Sequence, residues 1–221
     1  DLPRSRGLGD VYKRQIRQTP VNEEIGMGFA AGIRALLRQD PDIILIGEIR
    51  DGETAEMAIR AAMTGHQVFA TLHTNSAIGA IPRLLDIGVS RSILSGNIIG
   101  IVAQRLARKL CEHCKESYEP EEFEKKLLSI SDGEKYSLYK AKGCSKCNGV
   151  GYKGRLAVLE TLRFTSEMDE LLLEGASQHA LLDKAIENGF STMAQSGIRW
   201  VRQGKTTLEE ISRVVNLTEL L

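Results

Sequence analysis

The chain has 221 residues, of which 42% are hydrophobic and 26% are charged, which is typical of a globular protein with one core or a core and a smaller satellite. Its 29 basic and 29 acidic residues balance. The sequence thus lacks the excess of positive charge that is typical of nucleic-acid-binding proteins, and we expect no nucleic-acid partner. The longest apolar stretch without charge, residues 92–103, is too short to span a bilayer and reads as a buried helix. We therefore expect no direct membrane insertion and a cytoplasmic location.

Residues 1–15 show neither helical nor strand periodicity. We expect them to be non-native linker or adapter sequence and exclude them from the fold prediction. A native basic loop is the alternative.

Between residues 16 and 110, helical and strand patterns alternate, which predicts an α/β fold with a parallel sheet. Helices are predicted at residues 27–39, 53–63, 78–86 and 92–109, and strands at residues 43–46 and 68–72. The first strand is an aliphatic run between Pro41 and Gly47, a pattern typical of strands that are buried on both faces.

Polar residues follow both predicted strands. Glu48 comes after the first strand and His73 after the second. Ligands of parallel sheets bind beyond the carboxyl ends of the strands, so the pattern predicts a nucleotide site that contains both side chains. An aliphatic strand that ends in glutamate is common, however, and on its own it is more often structural than catalytic.

All the cysteines of the chain form two C-x-x-C pairs, and these are Cys111 with Cys114 and Cys144 with Cys147. Two such pairs can build a closed tetrahedral thiolate site for structural zinc, with no open position for catalysis. Because 29 residues separate the pairs, an inserted loop or helix has to close the site, and residues 119–126 are predicted to be helical. Disulfides and a redox C-x-x-C are the alternatives, and His113 is expected to be a bystander.

The remaining residues, 156–221, begin with a strand-like alternation at residues 156–160 and become mostly helical. Capping-box patterns predict helix starts at Ser166 and Thr207. Gly189 and Gly204 are predicted to end the helices that precede them.

Five short segments occur in a fixed order, and these are residues 36–42 (LLRQDPD), 47–51 (GEIRD), 53–55 (ETA), 64–66 (TGH) and 71–75 (TLHTN). In this order and spacing the sequence resembles the ATPases that power type II secretion and type IV pilus extension, from about residue 16 to the C terminus. The resemblance implies a RecA-like P-loop NTPase core fragment at residues 16–110 with a parallel sheet. A tetracysteine zinc module at residues 111–155 and a mostly helical C-terminal region at residues 156–221 would follow.

The resemblance also implies roles for single residues. Glu48 corresponds to the Walker B glutamate, which holds a magnesium-bound water or polarises the attacking water, and Gly47 stands where many P-loop enzymes have aspartate. His66 and His73 fall in the histidine box of the family. His73 is expected to sense the γ-phosphate, whereas a purely structural turn role is an equal alternative for His66.

Arginines are the usual stabilisers of charge on a transferring phosphoryl group. Arg38 resembles a family arginine near the nucleotide and is expected to serve there. Arg50 either serves in the same way or pairs with Asp51 or Glu53 at the surface. Two further arginines in similar segments, Arg34 and Arg105, stay unassigned.

Further expectations follow from the resemblance. The cofactors would be ATP, Mg²⁺ and Zn²⁺, the assembly would be a homo-hexamer, and the partner would be an inner-membrane platform protein to which the motor binds peripherally. The cysteines favour assembly motors over retraction motors. No G-x-x-x-x-G-K-[ST] motif occurs in the sequence, so we expect the chain alone to be inactive. A zinc-stabilised protein-interaction module without catalysis is the alternative function.

Overall fold

The structure, a computed structural model, describes residues 16–131 and 135–220, with the exception of the Glu219 side chain. The expectation for residues 1–15 lies outside the described residues. The helices are α1 (Phe29–Leu36), α2 (Gly52–Met63), α3 (Ala80–Asp86), α4 (Arg91–Leu94), α5 (Glu122–Leu127), α6 (Ser166–Leu173), α7 (Gln178–Glu187), α8 (Met193–Arg202) and α9 (Leu208–Val214). The strands are β1 (Ile43–Ile46), β2 (Gln67–Ala70), β3 (Gly100–Leu110), β4 (Glu116–Tyr118), β5 (Leu138–Lys140) and β6 (Tyr152–Arg163). Within these described ranges, no helix is both long and apolar enough to cross a membrane.

Strands β1 and β2 pair in parallel, as predicted, from Ile43 opposite Gln67 to Ile46 opposite Ala70. Helices α1 and α2 contribute to the small core that buries one face of β1, where Ile44 and Ile46 are each 2% exposed. The prediction that β1 is buried on both faces is wrong. Ile43 and Leu45 point to the other face and are 65% and 70% exposed, because no described element covers them.

The predicted helix over residues 92–109 is also wrong. Helix α4 ends at Leu94, Gly96 adopts a left-handed φ of 74°, and the chain then enters β3. Strand β3 pairs antiparallel with β6, from Gly100 opposite Arg163 to Leu110 opposite Tyr152. The hydrogen-bonding groups of the β3 backbone thus find their partners in a segment about 50 residues later in the chain. The periodicity of residues 92–109 alone does not reveal such a distant partner.

The β3–β6 ribbon contributes to two hydrophobic cores. Near one end, Leu162 packs with residues of α3, α4, α6 and α7, including Ile81 and Met168. Near the other end, Val158 and Ala107 pack with residues of α5, α8 and α9. The two cores thus join residues from all three predicted regions, and the predicted boundaries at residues 110 and 155 stay a prediction.

The C-terminal helices are capped in part as predicted. Thr207 accepts a hydrogen bond from the amide of Glu210 at the start of α9. Gly189 and Gly204, with φ of 85° and 62°, follow the ends of α7 and α8, which confirms both predicted stops. The cap at Ser166 is wrong, because α6 begins at that residue and Thr165 precedes it as the cap.

The carboxylate of Glu210 makes no capping box, because it turns inward and binds two arginines. The Nε and Nη2 atoms of Arg108 lie 2.9 and 2.6 Å from one carboxylate oxygen, and the Nη2 atom of Arg213 lies 2.8 Å from the other. The amide of Arg108 donates to Glu210 as well, at 2.9 Å. Burial alone would raise the pKa of Glu210, but these hydrogen bonds lower it to about 2.

We expect Glu210→Gln to lower the free energy of unfolding by about 3 kcal/mol at pH 7, which is the linkage value of a pKa reduced from 4.5 to about 2. A depressed carboxyl pKa stabilises the fold above the unfolded-state pKa, so the wild type should lose this stability as the pH falls from about 4.5 towards 2. Urea unfolding between pH 7 and pH 2 measures the difference. The exposed neighbour substitution Glu209→Gln is the control, and equal stability of the two variants would contradict the prediction.

Candidate functional site

Glu48 and His73 meet beyond the carboxyl ends of the two parallel strands. The Nε2 atom of His73 lies 3.3 Å from the Oε2 atom of Glu48. The Glu48 side chain is 21% exposed, whereas that of His73 is 90% exposed and open to a ligand. The structure therefore brings together the two residues that the strand ends pointed to.

Hydrogen bonds beyond the two strands fix the positions of the segments that carry Glu48 and His73. The amide of Ile49 donates to the carbonyl oxygen of Thr71 at 2.9 Å, and the Thr71 hydroxyl donates to the carbonyl oxygen of Gly47. The parallel pairing thus continues past β1 and β2. The neighbouring Asp51 caps α2 by accepting a hydrogen bond from the amide of Thr54 at 2.7 Å, which fixes where the chain leaves the site.

Arg50 lies beside Glu48, so the surface pairing with Asp51 or Glu53 that was considered for it is absent in the described part of the chain. Its guanidinium donates a hydrogen bond to the Oε1 atom of Glu48. That bond lowers the pKa of the Glu48 carboxyl below its usual value, against the opposing effect of partial burial, and His73 adds a smaller shift in the same direction. Glu48 is consequently ionised at neutral pH.

The predicted ligands His66 and Arg38 and the unassigned Arg34 lie outside the two strands, away from the pair of Glu48 and His73. His66 precedes β2, and its Nδ1 atom lies 2.9 Å from the carbonyl oxygen of Ala61 at the end of α2. Arg38 is exposed in a 3₁₀ turn that precedes β1. Arg34 pairs with Glu53 at 2.6 Å between α1 and α2. The structure does not bring these residues into contact with the pair of Glu48 and His73.

Arg105, which the sequence left unassigned, does reach the histidine loop, defined here as residues 71–77. Its Nη2 atom lies 3.1 Å from the side-chain oxygen of Asn75 and 3.4 Å from the carbonyl oxygen of Thr74. With Leu72, His73 and these residues it lines an open cavity of about 320 Å³. Arg105 lies on the inner face of β3. A prediction of residues 100–110 as a strand would have placed it there, because side chains alternate between the two faces of a strand.

The chemistry of this cavity suits an anionic ligand next to a carboxylate. The guanidinium of Arg105 and the imidazole of His73 can donate hydrogen bonds to phosphate oxygens. The oxygens of Glu48 are suitable ligands for Mg²⁺ or for a water that the ion holds. The residues present therefore fit a magnesium nucleotide.

The four cysteines form a second cluster, away from this cavity. Their Sγ atoms all lie within 4.8 Å of one another. The distances are 4.0 Å for Cys111 to Cys144, and 3.8 Å for both Cys114 and Cys144 to Cys147. Tetrahedral zinc with zinc–sulfur bonds of about 2.3 Å requires sulfur atoms about 3.8 Å apart. The cluster fits zinc, and all four thiols are free, so the disulfide alternative is not realised.

The inserted segment contains helix α5, close to the predicted helix over residues 119–126. The two knuckles are brought together by the antiparallel strands β4 and β5, however, and not by a loop or helix as predicted. Burial opposes ionisation of Cys147, but the amides of Cys144 and Gly151 each donate to its sulfur at 3.2 Å and lower its pKa to about 6. Burial raises the pKa of Cys114 to about 12. Four adjacent thiols cannot all ionise without a cation, and a zinc ion held by the four sulfur atoms would supply that charge.

The chain is similar to several known proteins over most of its length. The family model described as "Type II/IV secretion system protein" matches residues 10–213. The chain is 46% identical over 199 residues to the type II secretion system ATPase E of Vibrio cholerae, covering 90% of this chain and 39% of that protein. It is 46% identical over 198 residues to the type IV pilus assembly ATPase PilB of Thermus thermophilus, covering 89% of this chain and 22% of that protein.

Among solved structures, the fold is similar to that of the pilus retraction motor PilT with bound ADP. The TM-score is 0.60 at 32% sequence identity, and the match covers 88% of this chain and 45% of the solved chain. The chain thus spans less than half the length of each of these three relatives.

Proposed function

This chain belongs to the type II/IV secretion system protein family, and from that premise we propose that it is part of an ATP-hydrolysing motor. The motor would drive the assembly of pilins or pseudopilins. The contact of 3.3 Å between His73 and Glu48, at the carboxyl ends of two parallel strands, carries the proposal. These two groups are of the kinds that phosphoryl transfer requires, a carboxylate for water and a donor for the γ-phosphate.

In this mechanism the ionised carboxylate of Glu48 accepts a hydrogen bond from the attacking water and orients it towards the γ-phosphorus. Arg50 keeps the carboxylate ionised through its hydrogen bond. His73 donates a hydrogen bond to a γ-phosphate oxygen, and Arg105 offers a cationic group on the same cavity wall. Mg²⁺, when bound, neutralises phosphate charge.

We propose the remaining ligands as parts of a larger assembly. Arg38 is exposed and makes no ion pair with any residue in the described ranges, so it is available to a nucleotide bound against another subunit. A homo-hexamer would supply that subunit. His66 keeps its predicted role as a secondary nucleotide ligand, although its ring nitrogen contacts the end of α2.

The cysteine cluster supports the assembly branch of the proposal. Bound zinc would hold a compact module next to the ATPase core, and an inner-membrane platform protein would be the partner of a motor at the cytoplasmic face. We further propose that the 221-residue chain does not hydrolyse ATP by itself, since its sequence has no G-x-x-x-x-G-K-[ST] motif to cradle the phosphates.

A histidine substitution tests the proposed function. In a version of the protein extended to the length of its relatives, His73→Ala should lower kcat for ATP about 100-fold, because a preformed donor to the γ-phosphate is lost. The control is His179→Ala, since His179 is exposed on α7 and, among the described residues, pairs only with Asp183. Steady-state phosphate release measures both variants. An unchanged kcat in His73→Ala would contradict the proposed role of His73 as a donor to the γ-phosphate.

A further inference from the structure

Glu160 is a buried acid that the mechanism above does not use. It lies on β6 between Val158 and Leu162, which are both fully buried on the same inward face, and Glu160 itself is only 5% exposed. Among residues 16–131 and 135–220, no ion pair involves this carboxylate. A buried carboxylate requires hydrogen-bond donors, and without an ion pair these have to be neutral groups.

Both carboxylate oxygens of Glu160 accept backbone hydrogen bonds. The amide of Ala77, the last residue of the histidine loop, donates to the Oε1 atom. The amide of Met193, the first residue of α8, donates to the Oε2 atom at 2.9 Å. One acidic side chain thus joins the loop that carries His73 to the positive end of a helix about 120 residues away in the chain.

A second side chain of the ribbon holds the same loop. In the β3–β6 register Ala103 lies opposite Glu160, and Arg105 is two residues further along β3 on the same face. Arg105 binds Thr74 and Asn75 in the middle of the loop, whereas Glu160 binds its end. The loop is therefore attached to the ribbon at two points, on the side that follows His73.

We propose that Glu160 is a positioning residue for His73. By fixing the amide of Ala77, it sets the path of the histidine loop and keeps the His73 imidazole within reach of Glu48 and of the cavity. Through Met193 it also couples the position of the loop to α8. The inference rests on the proposed function for its effect on turnover, but the attachment of the loop is a property of this chain alone.

The first test uses the 221-residue chain and site-resolved amide hydrogen exchange by NMR. In the wild type the amide of Ala77 should be protected although it lies in a loop. Glu160→Gln retains one acceptor oxygen, so at least one of the two amides should exchange about tenfold faster or more. The amide of Leu110 is the control in the same variant, since it donates to the carbonyl oxygen of Lys205 at 2.8 Å and has no contact with Glu160. A general loss of stability would accelerate its exchange as well.

Two outcomes of this test would overturn the proposal. One is an Ala77 amide that exchanges in the wild type as fast as an exposed loop amide, a result that does not depend on any variant folding. The other is a Glu160→Gln variant in which the amides of Ala77 and Met193 exchange at the wild-type rate, or in which they accelerate no more than the amide of Leu110.

The second test is a double-mutant cycle on ATP turnover in the extended protein. If Glu160 acts through His73, Glu160→Gln should lower kcat about tenfold in the wild type and have little further effect in the His73→Ala background, with KM nearly constant. A merely structural role would lower kcat in both backgrounds and would overturn the proposal. Wild-type turnover in Glu48→Gln would instead defeat the proposed function, which keeps the two failures distinguishable.

Discussion

Replacing Glu48 by glutamine in the protein extended to the length of its relatives is expected to lower kcat for ATP at least about 100-fold while nucleotide binding persists. The amide has nearly the shape of the carboxylate but cannot act as a base or attract the proton of an attacking water. It also loses the charge that pairs with Arg50 and faces His73. Phosphate release measures turnover, and the fluorescence of a labelled ATP analogue measures binding.

The control for this substitution is Glu56→Gln. Glu56 lies on α2, a few residues after the site, and its exposed carboxylate binds only Arg60 among its described neighbours. We expect wild-type turnover from this variant. If Glu48→Gln retains the turnover of Glu56→Gln, Glu48 does not perform the role assigned to it.

Removal of zinc is the second change with a large expected effect. The purified chain should contain one zinc ion, and Cys147→Ser should lose it and lower the melting temperature by about 10 °C or more. The physical reason is that one metal ion joins two knuckles that lie far apart in the chain, and the free energy of binding the metal adds to the stability of the fold. Elemental analysis measures the zinc and calorimetry measures the melting temperature.

His113→Ala is the matched control for the cysteine substitution. His113 sits next to Cys114 in sequence, but its side chain is exposed and it does not belong to the cluster of four sulfur atoms. The variant should keep its zinc and its melting temperature. A zinc-free wild-type chain with the same stability as Cys147→Ser would contradict the assignment of the metal site.

The sequence was sufficient to predict the elements whose signals are local. The aliphatic run before Gly47 and the polar residue after it located β1 and Glu48, and the next run located β2 and the segment of His73. The cysteine spacing predicted the metal cluster for the same reason, since each pair forms its own knuckle. In these segments the residue types and their spacing are sufficient to predict the structure, without knowledge of distant partners.

The elements that depend on distant partners could not be predicted in this way. The sequence of residues 100–110 alone predicts a helix, yet these residues form strand β3 because they pair with β6 along most of their length. Arg105 became assignable only when β3 was placed beside the histidine loop. An acid at an inward position between Val158 and Leu162 was the one local signal for Glu160, and its two partner amides lie in remote segments. The exposure of Ile43 and Leu45 likewise depends on which elements cover the sheet.

A structure of the extended protein with Mg²⁺ and a non-hydrolysable ATP analogue tests the central claim most directly. Our account predicts the γ-phosphate at the carboxyl ends of β1 and β2, with His73 within hydrogen-bond distance of a phosphate oxygen and with a water between Glu48 and the γ-phosphorus. A nucleotide bound away from these strand ends, with Glu48 and His73 still paired only to each other, would contradict it.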